Sequence, residues 1–133
     1  MKFRLSILLI LCSLFVGCKK DIVPTETNLI ENQTYTQNVR IQGHEFDGLV
    51  FDGCTFDNSE LYISDVDSVI IRNCTFQNQI GRNGIRVGFG GLATHIIIEN
   101  CTFQNIGYNG ISSFEDAHDC VIRDCYFENC ALS

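Results

Sequence analysis

The chain has no tryptophan, one methionine and one proline in 133 residues, and only 19% of it is charged. So low a charge excludes a solvated disordered tail. The formal net charge of -7 excludes a generic basic nucleic-acid binder. The longest apolar run, Leu5 to Val16, is too short to cross a hydrocarbon core of about 30 Å as a helix. No two of the eight cysteines are spaced CxxC, and His44, His95 and His118 stand far apart, so no zinc site is expected. No lysine follows Lys20. The length allows one domain.

What is present begins with an address. Lys2 and Arg4 precede the apolar run, which fits the central segment of a secretory signal peptide. The run ends Leu14-Phe15-Val16-Gly17-Cys18 and is followed by Lys19-Lys20-Asp21. This resembles a bacterial lipoprotein signal, with Phe15 in place of the usual leucine. The resemblance implies a signal peptide over residues 1–17, cleavage before Cys18 and acylation of that cysteine. Cys18 would then hold the protein to a lipid bilayer, since two or three acyl chains anchor stably. The charged start resembles the signal that sends some lipoproteins to the outer membrane, which implies a bacterial outer-membrane lipoprotein on the periplasmic or cell-surface side. Removing Lys2 and Arg4 leaves seven basic and sixteen acidic residues, a net charge of -9 for the mature chain. Residues 18–38, which contain Pro24 and many Thr, Asn and Gln, are expected to form a tether and N-terminal cap.

The remainder, residues 39–133, repeats. Four segments align without gaps: Leu49–Phe56, Val69–Phe76, Ile96–Phe103 and Cys120–Phe127. Each is followed by one residue and an asparagine, namely Asn58, Asn78, Asn105 or Asn129. The alternating apolar positions read as strands, and a period of twenty to twenty-seven residues reads as a β-solenoid. Columns one and three should point inward. Column four (Asp52, Arg72, Glu99, Arg123) must face water and alternates in sign, so stacked neighbours attract. Column five (Gly53, Asn73, Asn100, Asp124) holds the residue types that tolerate a left-handed backbone. A bend there turns column six (Cys54, Cys74, Cys101, Cys125) and column eight (Phe56, Phe76, Phe103, Phe127) into the core as ladders, with Asn73 and Asn100 stacked at the bend. The cysteines read as a buried free-thiol ladder, with a disulfide among Cys120, Cys125 and Cys130 as the alternative in an oxidising compartment. The asparagine in column ten is expected to end the second strand by a side-chain turn. A third strand is expected where Ile80–Val87 aligns with Ile106–Ser113.

Three strands per coil make a parallel β-helix. The residues resemble the right-handed parallel β-helix proteins of the pectin-lyase-like superfamily, over about residues 39–130. The expected fold is all-β, a right-handed parallel β-helix of about four coils. It ends after a core strand pair with no polar cap, which points to truncation at the C-terminus. From Phe46 to Phe76 an apolar residue also recurs every five positions (Phe46, Phe51, Phe56, Leu61, Val66, Ile71, Phe76). That stretch resembles a pentapeptide-repeat protein and implies a compact first coil or two, with a wider helix after them.

The resemblance implies binding or processing of polysaccharide, as a lyase or a hydrolase, with the catalytic groups outside this segment. The alternative is a non-catalytic scaffold or adhesin, and less readily a pentapeptide-repeat-like interaction protein. Lyases of this fold need a cation or arginine beside a uronate carboxylate. Arg72 and Arg123 belong to the charge ladder, which leaves Arg82 and Arg86. With Tyr108, Ser112, Glu115, Asp116 and His118 they form the candidate glycan-facing surface. The aspartate motifs and the Gly-His-Gly of the hydrolases are missing. No cofactor or metal is expected; Ca2+ would suit an acidic glycan, but no motif supports it. Column two (Val50, Ile70, Ile97, Val121) makes an apolar strip on the outside. Its cover is the tether, a second subunit or further chain.

Overall fold

The computed structural model describes residues 20–21 and 28–131. The segment read as a signal peptide, residues 1–17, and Cys18 lie outside the described residues. Strand 70–72 shows how the coil is built. Val69 and Ile71 are buried, Ile70 and Arg72 face out, and Asn73 then takes φ 54°. The left-handed residue turns the chain by a corner, so the next inward side chains are Cys74 and Phe76. Gly53 (φ 65°), Asn100 (φ 51°) and Asp124 (φ 54°) do the same in the other coils. This conformation costs a residue with a Cβ about 1–2 kcal/mol, and Asn and Asp offset part of that through local hydrogen bonds.

Every strand pair is parallel and in register. The first face stacks Leu29–Glu31, Val50–Asp52, Ile70–Arg72, Ile97–Glu99 and Val121–Arg123. The second stacks Thr34–Tyr35, Thr55–Asp57, Thr75–Gln79, Thr102–Ile106 and Tyr126–Cys130. The third stacks Lys20–Asp21, Val39–Gln42, Leu61–Ser64, Ile85–Val87 and Ile111–Ser113. The result is a right-handed parallel β-helix of about four coils. Residues 29–35, within the segment read as tether and cap, stack on the first repeat coil.

Three details differ from the sequence expectation. A fourth short face exists, made of Val66–Asp67, Ala93–Thr94 and Ala117–His118. Of the column-ten asparagines, Asn58 follows the end of its strand as expected, but Asn78, Asn105 and Asn129 do not end theirs. These three sit inside the strand at φ 51–57°, and pairing resumes one residue later. A left-handed residue bends the strand without spending its backbone on a turn. Finally, Ile106 lies beside Gln79 and not beside Ile80. Ile80 is one extra residue in the turn that follows the strand and is 80% exposed, while Gln79 turns inward.

The five-residue apolar period is a four-sided first coil. Phe46, Phe51, Phe56, Leu61, Val66, Ile71 and Phe76 are all buried, with consecutive members on consecutive sides. A continuous ring stack, Tyr35–Phe56–Phe76–Phe103–Phe127, runs along the interior with centroids 4.5–5.0 Å apart. Its last coil departs from the expected burial: Phe127 and Ile122 are exposed and Cys125 is half-buried, because among the described residues no further coil stacks on them. Beside the stack the six described cysteines are free thiols. Cys54, Cys74, Cys101 and Cys125 each donate to the carbonyl of the column-three residue one coil below: Ile30, Phe51, Ile71 and Ile98. A cysteine at the corner thus fills space and serves a backbone acceptor. In the charge ladder Asp52 pairs with Arg72 at 2.8 Å and Glu99 with Arg123 at 2.7 Å.

Candidate functional site

The outward row of the third face reads Arg40, Tyr62, Arg86, Ser112, one residue per coil. Parallel in-register pairing places Tyr62 between two guanidinium groups, 5.3 Å from Arg40 and 5.0 Å from Arg86. Arg86 also lies 5.2 Å from the ring of Phe89. Phe89 meets Phe114 of the next coil edge to face, with centroids 4.9 Å apart. Phe89 is 52% exposed and Phe114 is 37% exposed, so both rings are open to a ligand. The loop that carries Phe89 turns at Gly88 (φ 72°) and Gly90 (φ 76°). A Cβ on Gly88 would lie 2.6 Å from the backbone nitrogen of Ala117, so that position needs glycine twice over.

Beneath the row lies Glu60, a carboxylate with 2% of its side chain exposed. Its Oε1 accepts from Arg86 Nε at 3.0 Å and from Asn83 Nδ2 at 2.9 Å. Burial, with a hydrogen bond to Glu60, pushes the Tyr62 hydroxyl above its ordinary range. Arg86 is therefore a neutralised, fixed cation whose flat faces serve as stacking surfaces.

Of the residues expected to face a glycan, Arg86 and Ser112 are neighbours on this row. Glu115 and Asp116 are exposed on the turn between Ser113 and Ala117, beside Phe114. Arg82 and Tyr108 lie at the opposite edge of the face, where Tyr108 N donates to Arg82 O at 3.0 Å. The Arg82 guanidinium reaches back along the stack to Asn38 Oδ1 at 2.9 Å and to Asn58 O at 3.3 Å. His118 lies around the corner on the fourth face, paired with Thr94. The seven residues thus span two faces, with Arg86 and Ser112 at the centre. Arg40, Glu60, Tyr62, Phe89 and Phe114 complete the arrangement and were missed from sequence. Aligning Leu61-Tyr62-Ile63 with Ile85-Arg86-Val87 was the available signal for Tyr62.

The fourth face carries a second polar group. Asp67 accepts from Thr94 Oγ1 at 2.5 Å, His95 Nδ1 at 2.7 Å and Ser68 Oγ at 2.9 Å. These donors, Thr94 foremost, hold its carboxyl down at about 2. The hydrogen bond to Asp67 raises His95. Among the described residues no three His, Cys, Asp or Glu are grouped to hold a metal ion, and no helix is long and apolar enough to cross a membrane.

No curated protein matches the chain. A family model described as a right handed beta helix region matches residues 59–133, more than half of the chain. Its coils, its in-register faces and that match together make this protein a member of the right-handed β-helix family.

Proposed function

We propose that this protein is a lipid-anchored, extracytoplasmic β-helix that binds polysaccharide on its third face. The observation that carries this reading is the exposed pair Phe89–Phe114 set beside the stacked guanidinium of Arg86. Aromatic and guanidinium faces offer flat, amphipathic surfaces to a sugar ring, and Ser112 with the turn carboxylates Glu115 and Asp116 supplies hydrogen-bonding groups at its edge. Arg82, Tyr108 and His118 flank that platform and extend the path of a chain ligand. Arg86 is already paired with Glu60, so its contribution is positioning and stacking. The reading supports binding first. Processing would need acid–base groups beyond those singled out on this face.

The anchor rests on the sequence Val16-Gly17-Cys18 behind its apolar run. It supports an outer-membrane lipoprotein facing the periplasm or the outside. Two experiments test the proposal. Labelled palmitate should enter the wild-type chain and not Cys18→Ser. In titrations against a panel of neutral and acidic polysaccharides, at least one should bind. Phe89→Ala and Phe114→Ala, both at exposed positions, should each weaken that binding about tenfold, the loss of roughly 1.4 kcal/mol. Binding that ignores both substitutions defeats the assignment of the face.

A further inference from the structure

The outward strip of the first face has a property that the polysaccharide reading does not use. Val50, Ile70 and Ile97 are half-buried and Val121 is 44% exposed, one above another on successive coils. Leu29 continues the strip at the N-terminal side. Beside it runs the charge ladder Glu31, Asp52, Arg72, Glu99, Arg123 in the same order of coils. The arginines keep much of their side chains in water, 41% for Arg72 and 57% for Arg123.

We propose that this strip is a self-association surface, and that its partner is a second copy of the chain packed face to face with its helix axis reversed. The charges are self-complementary under a two-fold axis along the strand direction. That axis sets Ile70 opposite Ile97 of the second copy and Val50 opposite its Val121. It also sets Asp52 opposite the other copy's Arg123 and Arg72 opposite its Glu99. Four opposite-sign pairs then border one continuous apolar seam. Sheets packed at about 10 Å leave room for arginine to reach across.

The ladder also rejects the neighbouring registers. A slide of one coil toward the N-terminus sets Arg72 against its own copy and Asp52 against Glu99, leaving Glu31 against Arg123 as its one kind of opposite-sign pair. A slide the other way sets Glu99 against itself and Arg72 against Arg123. Like charges face each other in both, so a single alignment is favoured and its neighbours are penalised. The same contact on both copies makes the dimer closed and isologous. A seam of four aliphatic residues is smaller than a standard interface of about 800 Å² per partner, so the association is weak and salt-sensitive.

The test is thiol cross-linking of the full chain. One sample carries Ile70→Cys, a second carries Ile97→Cys, and the wild-type chain, with its own cysteines, sets the background. A short bismaleimide should link the mixed sample severalfold more than either variant alone or the wild type. High salt should lower that yield. Wild-type-like thermal melts of both variants would show that the coils are intact. Stronger self-linking of Ile70→Cys than of the mixture would mean a shifted register or parallel axes and overturn the geometry. Background-level linking at all concentrations, with melts unchanged, would mean that the strip faces water or the chain's own tether, and would overturn the proposal.

Discussion

Arg86 Nε lies 3.0 Å from Glu60 Oε1, and the Glu60 side chain is almost wholly withdrawn from water. The two residues are 26 positions apart in sequence and meet because successive coils stack. Removing the cation leaves a buried carboxylate with only neutral donors, the Asn83 amide and the Tyr62 hydroxyl. Arg86→Met should therefore cost about 3–5 kcal/mol of stability. Glu60→Gln, which removes the charge and keeps the shape, should cost clearly less. Urea unfolding of the two variants checks this, and a reversed order would show that the pair does not govern the site.

The corner residues give a sharper test of the coil itself. Asn100 sits at φ 51°. Asn100→Gly should be close to neutral, within about 0.5 kcal/mol. Asn100→Ala should lose about 1–2 kcal/mol, because alanine meets the same steric cost with no amide to offset it. Equal losses in the denaturation midpoints would argue against a left-handed corner.

Thiol chemistry should divide by depth. Cys54, Cys74 and Cys101 are buried, and Cys74, stacked between the Cys101 and Cys54 thiols and desolvated, is pushed far above the ordinary thiol range. Cys120 is exposed. In the native protein an alkylating reagent should modify Cys120 first and leave the three ladder thiols intact until unfolding. Peptide mapping after brief labelling reads this directly, and early labelling of Cys74 would mean that the ladder is open.

The Asp67–His95 pair predicts a pH response. Asp67 is lowered to about 2, so its contribution is present above the ordinary aspartate range and is lost as pH falls through about 2. His95 is raised, so its contribution is full below the ordinary histidine range and is lost as pH rises through its folded value. The pair is intact between those limits. An NMR titration should find His95 above an ordinary histidine, and Asp67→Asn should return it toward that value.

Much of this fold was legible because the repeat puts chemically restricted residues in fixed columns. Gly53, Asn73, Asn100 and Asp124 announced the corner, and Asp52, Arg72, Glu99 and Arg123 announced the solvent side. The extra turn residue Ile80 was not legible, since apolarity pointed the wrong way: an isoleucine stands in water and a glutamine in the core. Gln79 is admitted because its amide serves the carbonyl of Ser59 at 2.7 Å and that of Phe56 at 3.4 Å, bonds that exist only once coils stack. The same reason hid Glu60. A lone glutamate in a turn gives no sign of burial until Arg86 and Asn83 arrive from the next coil. Arg86 and Ser112 were foreseen together because both lie within aligned repeats, whereas Phe89 sits in an insertion with no counterpart to align.

The most direct test of the central claim is to map a bound polysaccharide onto the faces by backbone NMR. Shift changes are expected at Arg86, Gly88–Leu92, Ser112 and Phe114, with the Val50–Val121 strip unchanged. Changes confined to the first face, or none with any polysaccharide tried, would contradict it.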